Sequence, residues 1–172
     1  MLSPNSAYRK LFAASILPVQ SIMQTLESAI DEFRTLLDGA PLAHLTEIDA
    51  AVQVSPTGAR WTRKQILGHL IDSATNNHHR FVRAQIESDF SMPGYAQEGW
   101  VDTQHYQNRP WQELLSFWTA YNRHLLFLME QTPEKHHKIL CRVGDDEPVT
   151  LAFLMVDYVR HLKHHLAEIV KQ

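Results

Sequence analysis

One cysteine, Cys141, stands in the whole chain. It cannot form an internal disulfide, and such usage fits a reducing, cytoplasmic setting. A basic surplus is also missing, with 16 Lys and Arg against 19 Asp and Glu. That balance speaks against nucleic acid as a partner. Long apolar runs are absent, so no membrane span is expected. Internal repeats and low-complexity tracts are absent too. The apolar stretch Leu11-Phe12-Ala13-Ala14-Ser15-Ile16-Leu17 after Arg9-Lys10 is too short for a leader and has no clean cleavage site behind it. Residues 1–16 therefore read as an N-terminal arm, and residues 17–172 as one domain large enough to bury a core.

What the chain does have is helical periodicity. Ile22, Leu26, Ile30, Phe33 and Leu37 recur at helical spacing from about Pro18, and Gly39 with Pro41 ends that run. A connection over 40–60 follows, in which Leu45 and Ile48 are expected to tuck under the bundle. A second helix runs from Trp61 to about Glu87, with a core line of Ile66, Leu67, Leu70, Ala74, Phe81 and Ile86. Residues 88–109 form a long loop with Phe90, Met92, Tyr95, Trp100 and Tyr106. A loop this long and this aromatic suits a lid over a bundle mouth, or a plug for the core end. Pro110 opens a third helix through Trp111, Leu114, Leu115, Trp118, Tyr121, Leu125, Leu128 and Met129 to Thr132. Ile139–Val143 and Pro148-Val149 can pair as a small hairpin, and Thr150 caps a fourth helix. The class is all-α: an antiparallel four-helix bundle with long crossover loops.

Eleven histidines are many for this length. Adjacent pairs such as His78-His79 and His136-His137 cannot both face one site on a helix, so the count alone decides nothing. On the fourth helix, Leu151, Met155, Tyr158, Leu162 and Ile169 make the apolar stripe, and His165 occupies a place where that stripe wants an apolar residue. His161 lies four residues earlier, and imidazoles at i and i+4 can share one ion. His164 sits with Asp157, Arg160 and Glu168 on the polar flank and reads as solvated. The second helix carries a matching polar line of His69, Ser73, Asn76 and Arg80, with Asp72 one turn from both His69 and Asn76. These types bind or orient, whereas a merely solvated face favours Lys and Glu. The alternative is a polar seam whose groups satisfy one another.

Facing helices of a bundle build metal sites from inward side chains. His69, His161 and His165 together would hold one divalent transition metal ion and leave a position open, as catalytic sites do. Imidazole suits zinc, nickel, copper or iron, and three histidines do not select among them. The second ring nitrogen of His69 needs a partner, for which Asp72 or Ser73 is near. A fourth ligand from the loop, Asp102 or His105, would instead close the site into a structural one.

Three stretches resemble a known family: Trp61-Thr62-x-x-Gln65, then His69-Leu70-x-Asp72-Ser73-x-x-Asn76-x-x-x-Arg80-Phe81, then His161-x-Lys163-His164-His165-Leu166-Ala167. They are similar to the DinB superfamily, and most to its YfiT-like branch of metal-dependent hydrolases, also described as bacillithiol transferases. Pro93-x-Tyr95 and Trp100 have counterparts in that branch. The resemblance covers about residue 20 to the end and leaves the arm unmatched. It implies a bundle with His69, His161 and His165 on the metal, Asn76 and Arg80 near the pocket, and a homodimer.

Two functions follow as expectations. One is an enzyme whose metal acts on a thiol or water, with a low-molecular-weight thiol cosubstrate and an electrophilic small-molecule acceptor. The resemblance favours thiol transfer over hydrolysis. Arg80 would then meet an anionic group of the substrate, Asn76 would work beside it, and Asp72, Ser73, Tyr95 and Trp100 would line or support the pocket. The other is a bundle whose metal only ties helices together, or an interaction module. Cys141 sits in a connection and makes a poor nucleophile.

Overall fold

The computed structural model describes residues 19–51 and 61–170, with side chains from residue 25. The expected arm, Pro18, Pro56, Gly58 and the side chain of Ile22 lie outside the described residues. In chain order the elements are α1 (Val19–Asp38), α2 (Glu47–Ala50), α3 (Arg63–Arg83), β1 (Ser91–Met92), α4 (Gln97–Gln104), α5 (Trp111–Gln131), β2 (Leu140–Val143), β3 (Val149–Thr150) and α6 (Leu151–Val170). A 3₁₀ turn over Tyr106–Asn108 links α4 to α5.

Local chemistry sets each start. Thr62 caps α3 through a reciprocal box: its hydroxyl accepts from Gln65 N, and the Gln65 side chain accepts from Thr62 N. The Thr62-x-x-Gln65 spacing is therefore a helix-start device. Glu47 accepts from Trp111 N at 2.6 Å, which satisfies an orphan donor at the start of α5, and it also pairs with the buried Lys64. Thr150 Oγ1 accepts from Phe153 N, as expected of a cap.

Four long helices form a bundle. α1 packs on α5 and α6, and α3 packs on the same two. Arg63, at the start of α3, donates to the carbonyl of Ile169 at the end of α6, so these two run antiparallel. Arg34 pairs with Glu130 and Asp38 with Arg123, which makes α1 and α5 antiparallel as well. Contacts between α3 and α5 advance in step instead, from His78 with Tyr121 to Gln85 with Thr132, so those two run the same way. The long crossover connections permit that arrangement. The core is filled by Leu26, Phe33, Leu67, Leu70, Phe81, Trp111, Trp118, Leu125, Met155, Tyr158 and Leu162.

Some sequence expectations fail in detail. Ile48 is 81% exposed and Ile86 76%, so neither belongs to the core. Ile48 sits on the four-residue α2, which shows the bundle only Ala50. Ile86 lies beyond α3, which ends at Arg83 rather than Glu87. Residues 88–109 are not a bare loop either. β1 pairs in parallel with β2 (Ser91 with Arg142, Met92 with Val143), and β2 pairs with β3 in the expected hairpin. Among the described residues, no helix is long and apolar enough to cross a membrane.

Candidate metal centre

The antiparallel contact of α3 with α6 brings the start of one level with the end of the other. His69, two turns into α3, thereby faces the last turns of α6. It is fully buried. Its Nε2 lies 3.2 Å from Nε2 of His161. Ring centroids are 5.1 Å apart for His69–His161, 4.9 Å for His69–His165 and 4.5 Å for His161–His165, all edge to face. One nitrogen from each ring falls within 4.8 Å of the other two. Two bonds of about 2.1 Å to a tetrahedral ion hold their nitrogens about 3.4 Å apart. The spacing of this trio therefore suits a shared ion.

The donor chemistry suits it too. A histidine binds metal only when neutral. Burial pushes the His69 imidazole down to about 3, with His165 adding to the effect. His165 is lowered by burial as well, against an opposing pull from Glu168. Glu168 accepts from His165 Nδ1 at 2.6 Å, which leaves Nε2 of His165 for an ion. Ser73 Oγ stands 3.5 Å from Nδ1 of His161. The Trp61 ring packs 5.1 Å from that of His69 and shields it from water.

Asp72 is buried on the neighbouring flank of α3 and takes part in a different set of bonds. Its Oδ1 accepts from Tyr106 Oη at 2.6 Å and from Gln104 Nε2 at 3.1 Å, and burial raises its pKa. Asn76 is buried, and its amide donates to the Asp72 carbonyl at 2.9 Å, one turn back on the same helix. Arg80 is buried and donates to Asn77 Oδ1 at 3.3 Å. Tyr95 and Trp100 pack edge to face at 5.2 Å, and Tyr95 feels the charges of both Asp72 and Arg80. The structure thus brings the three histidines and Ser73 together. Asp72, Asn76, Tyr95 and Arg80 are tied to one another and to neighbouring residues by the contacts just described, and Trp100 packs on Tyr95. Asp102 and His105 are exposed and join no ligand cluster with the trio among the described residues. Cys141 is buried, and its thiol is pushed up to about 11.

His164 is exposed, as its place on the polar flank suggests, while Glu168 on the same flank is buried, because it sits between His165 and His164. The i, i+3 spacing from His165 was the available signal. Gln104 and Tyr106 were not legible as partners of Asp72, since both lie more than thirty residues away in sequence.

A buried neutral histidine also makes stability depend on pH. His69 is held near 3 in the folded protein and titrates near 6.5 unfolded. Below that unfolded value the unfolded chain takes up a proton that the folded one refuses, so stability falls with pH. For His69 alone the loss is about 2 kcal/mol by pH 5. The raised pKa of Asp72 acts in the opposite sense, because there the folded state binds the proton first. Denaturant titrations of the metal-free protein at pH 7 and pH 5 are expected to show the net loss, and His69→Gln to reduce it.

The family described as the DinB superfamily matches residues 25–169. No curated protein sequence matches the chain. Among solved structures, YfiT from Bacillus subtilis, described as a probable metal-dependent hydrolase with an unusual four-helix bundle topology, superposes with a TM-score of 0.67 at 20% identity, covering 90% of this chain and 85% of its own. The mycothiol-dependent maleylpyruvate isomerase superposes at 0.63 with 10% identity, over 90% of this chain and 61% of its own. A single-site mutant of that isomerase gives 0.66 at 12%, over 91% and 62%. This chain therefore spans about three-fifths of the isomerase. At these identities the likeness is one of fold.

Proposed function

Since the chain belongs to the DinB superfamily, we propose that it is a metal-dependent enzyme that transfers a thiol to an electrophilic small molecule. The observation that carries this is the convergence of His69, His161 and His165 with no fourth His, Cys, Asp or Glu in their cluster among the described residues. Three protein donors with a position left over is the pattern of catalytic rather than structural sites. A divalent ion held there, nickel or zinc first, would supply a Lewis acid that lowers the pKa of a thiol or a water.

The chain's own residues do the rest. Glu168 fixes the ring of His165, and Ser73 stands at that of His161. Arg80 carries a planar, permanently charged guanidinium, a group whose geometry and charge match a substrate carboxylate. Asn76 gives one amide N–H to its own helix and would meet substrate through its carbonyl oxygen or its second N–H. Tyr95 and Trp100 belong to the segment that would cover the pocket and exclude water.

Dependence of a structural neighbour on mycothiol supports a thiol cosubstrate. The hydrolase description of YfiT supports a second reading, in which water takes the thiol's place at the same centre. Purified protein loaded with nickel or zinc and given a low-molecular-weight thiol and an aryl chloride separates the two. Thiol and aryl chloride should disappear together as the C–S bond forms and chloride leaves, and a chelator should stop it. Metal-dependent ester cleavage indifferent to thiol would favour hydrolysis. Neither activity, with a melting temperature that collapses on chelation, would leave a metal-tied scaffold.

A further inference from the structure

A ligating imidazole binds through one ring nitrogen and carries a proton on the other, and that proton needs an acceptor. Two of the three histidines have an oxygen there. His161 Nδ1 has Ser73 at 3.5 Å, and His165 Nδ1 has Glu168 at 2.6 Å. His69 differs. It turns Nε2 towards His161, and its Nδ1 is buried with no hydrogen-bond partner among the described residues. One turn along the same helix, Asp72 Oδ2 is also buried and also without a partner. One orphan is a donor in the ligating tautomer and the other is an acceptor. Side chains at i and i+3 are neighbours on a helix. Buried polar atoms seldom stay unpaired, and a single water can join two of them.

We propose that Asp72 is a positioning residue of the metal centre. Its Oδ2 takes the Nδ1 proton of His69, either after a small side-chain rotation or through one water, while Tyr106 and Gln104 set where the carboxylate stands. This rests on the trio being a metal centre. It adds a coupling. Tyr106 and Gln104 both belong to the aromatic segment 88–109, and they hold the other oxygen of the same carboxylate. A displacement of that segment by an entering substrate would move Asp72, and with it the acceptor on which the orientation of His69 depends. The competing role for Asp72 is that of a buried anchor for the segment, with no bearing on the ion.

Metal release into a chelator distinguishes the two roles, measured beside the melting temperature of the metal-free protein. Asp72→Asn keeps the side-chain shape. Whichever way its amide turns, an N–H replaces an oxygen, and either the His69 or the Tyr106 and Gln104 contacts lose their acceptor. Loss of such an outer partner lowers metal affinity about 10–100-fold. Tyr106→Phe removes only the hydroxyl and should weaken metal retention several-fold. Because Tyr106 acts through Asp72, the double variant should release metal no faster than Asp72→Asn alone. Wild-type release from a folded Asp72→Asn protein would overturn the proposal, whatever its melting temperature. If that variant does not fold, unchanged release from Tyr106→Phe overturns it. Failure of the underlying centre looks different: the parent protein would carry no metal, or His161→Ala would retain it in full.

Discussion

His161→Ala is expected to abolish metal-dependent turnover and to weaken metal binding by about 10²–10³-fold, while the bundle still folds. Structural zinc contributes about 10–16 kcal/mol through four ligands. One ligand's share is then about 2.5–4 kcal/mol, and each 1.4 kcal/mol is tenfold. Of the three histidines clustered among the described residues, the two that remain, His69 and His165, would leave the ion mostly to solvent. The fold should survive because His161 is half-buried and its contacts are polar. The apolar side chains that hold α6 to the core, Tyr158, Leu162 and Ile169, are untouched. Alanine is also the best helix former. A modest cost remains, since Nε2 of the buried His69 loses its partner, worth about 1–3 kcal/mol. Elemental analysis, circular dichroism and the thiol-consumption assay on one preparation check all three points. Full turnover in a metal-depleted variant would end the proposed enzyme role for the trio.

The sequence made the trio legible because each histidine broke a pattern that was itself clear. His165 interrupts an apolar stripe, and His69 begins a polar line where a solvated helix would show Lys or Glu. Helical period alone then fixes which way each side chain points. It does not fix what meets that side chain from elsewhere. Asp72 illustrates the limit. Its position on α3 suggested a partnership with His69, yet in the structure its bonds run to Tyr106 and Gln104, which close on it through the path of residues 88–109. That path was opaque for a physical reason. β1 is two residues long and depends on a parallel partner some fifty residues away, and short strands carry no periodicity of their own. Ile48 and Ile86 were misplaced for the converse reason. A large apolar residue next to a helix end fits the pattern whether or not a neighbour arrives to cover it.

Gly68→Ala should destabilise the protein by about 1–5 kcal/mol, an inversion of the usual rule. In an open helix interior, alanine is about 1 kcal/mol better than glycine. Here the added methyl would lie 2.0 Å from Cδ2 of Tyr106 and 2.3 Å from its Cγ. Those are ring atoms near the root of the side chain, so the ring cannot swing clear without moving the Tyr106–Asn108 turn. Overpacking of this kind costs about 1–3 kcal/mol. Displacing the ring also takes the Tyr106 hydroxyl from Asp72, and an acceptor left short in a buried site costs about 1–3 kcal/mol more. Less the propensity gain, the sum is a melting temperature lower by about 2–20 °C at this chain length. A double-mutant cycle isolates the cause. In a Tyr106→Ala background the methyl enters vacated space, and Gly68→Ala should there be neutral or stabilising by up to about 1 kcal/mol. The same displacement should quicken metal release, because Asp72 loses the bond that holds it beside His69. Gly68→Ala with unaltered stability would mean that Tyr106 does not pack on α3 as described. The coupling from the covering segment to the metal centre would then lose its first link.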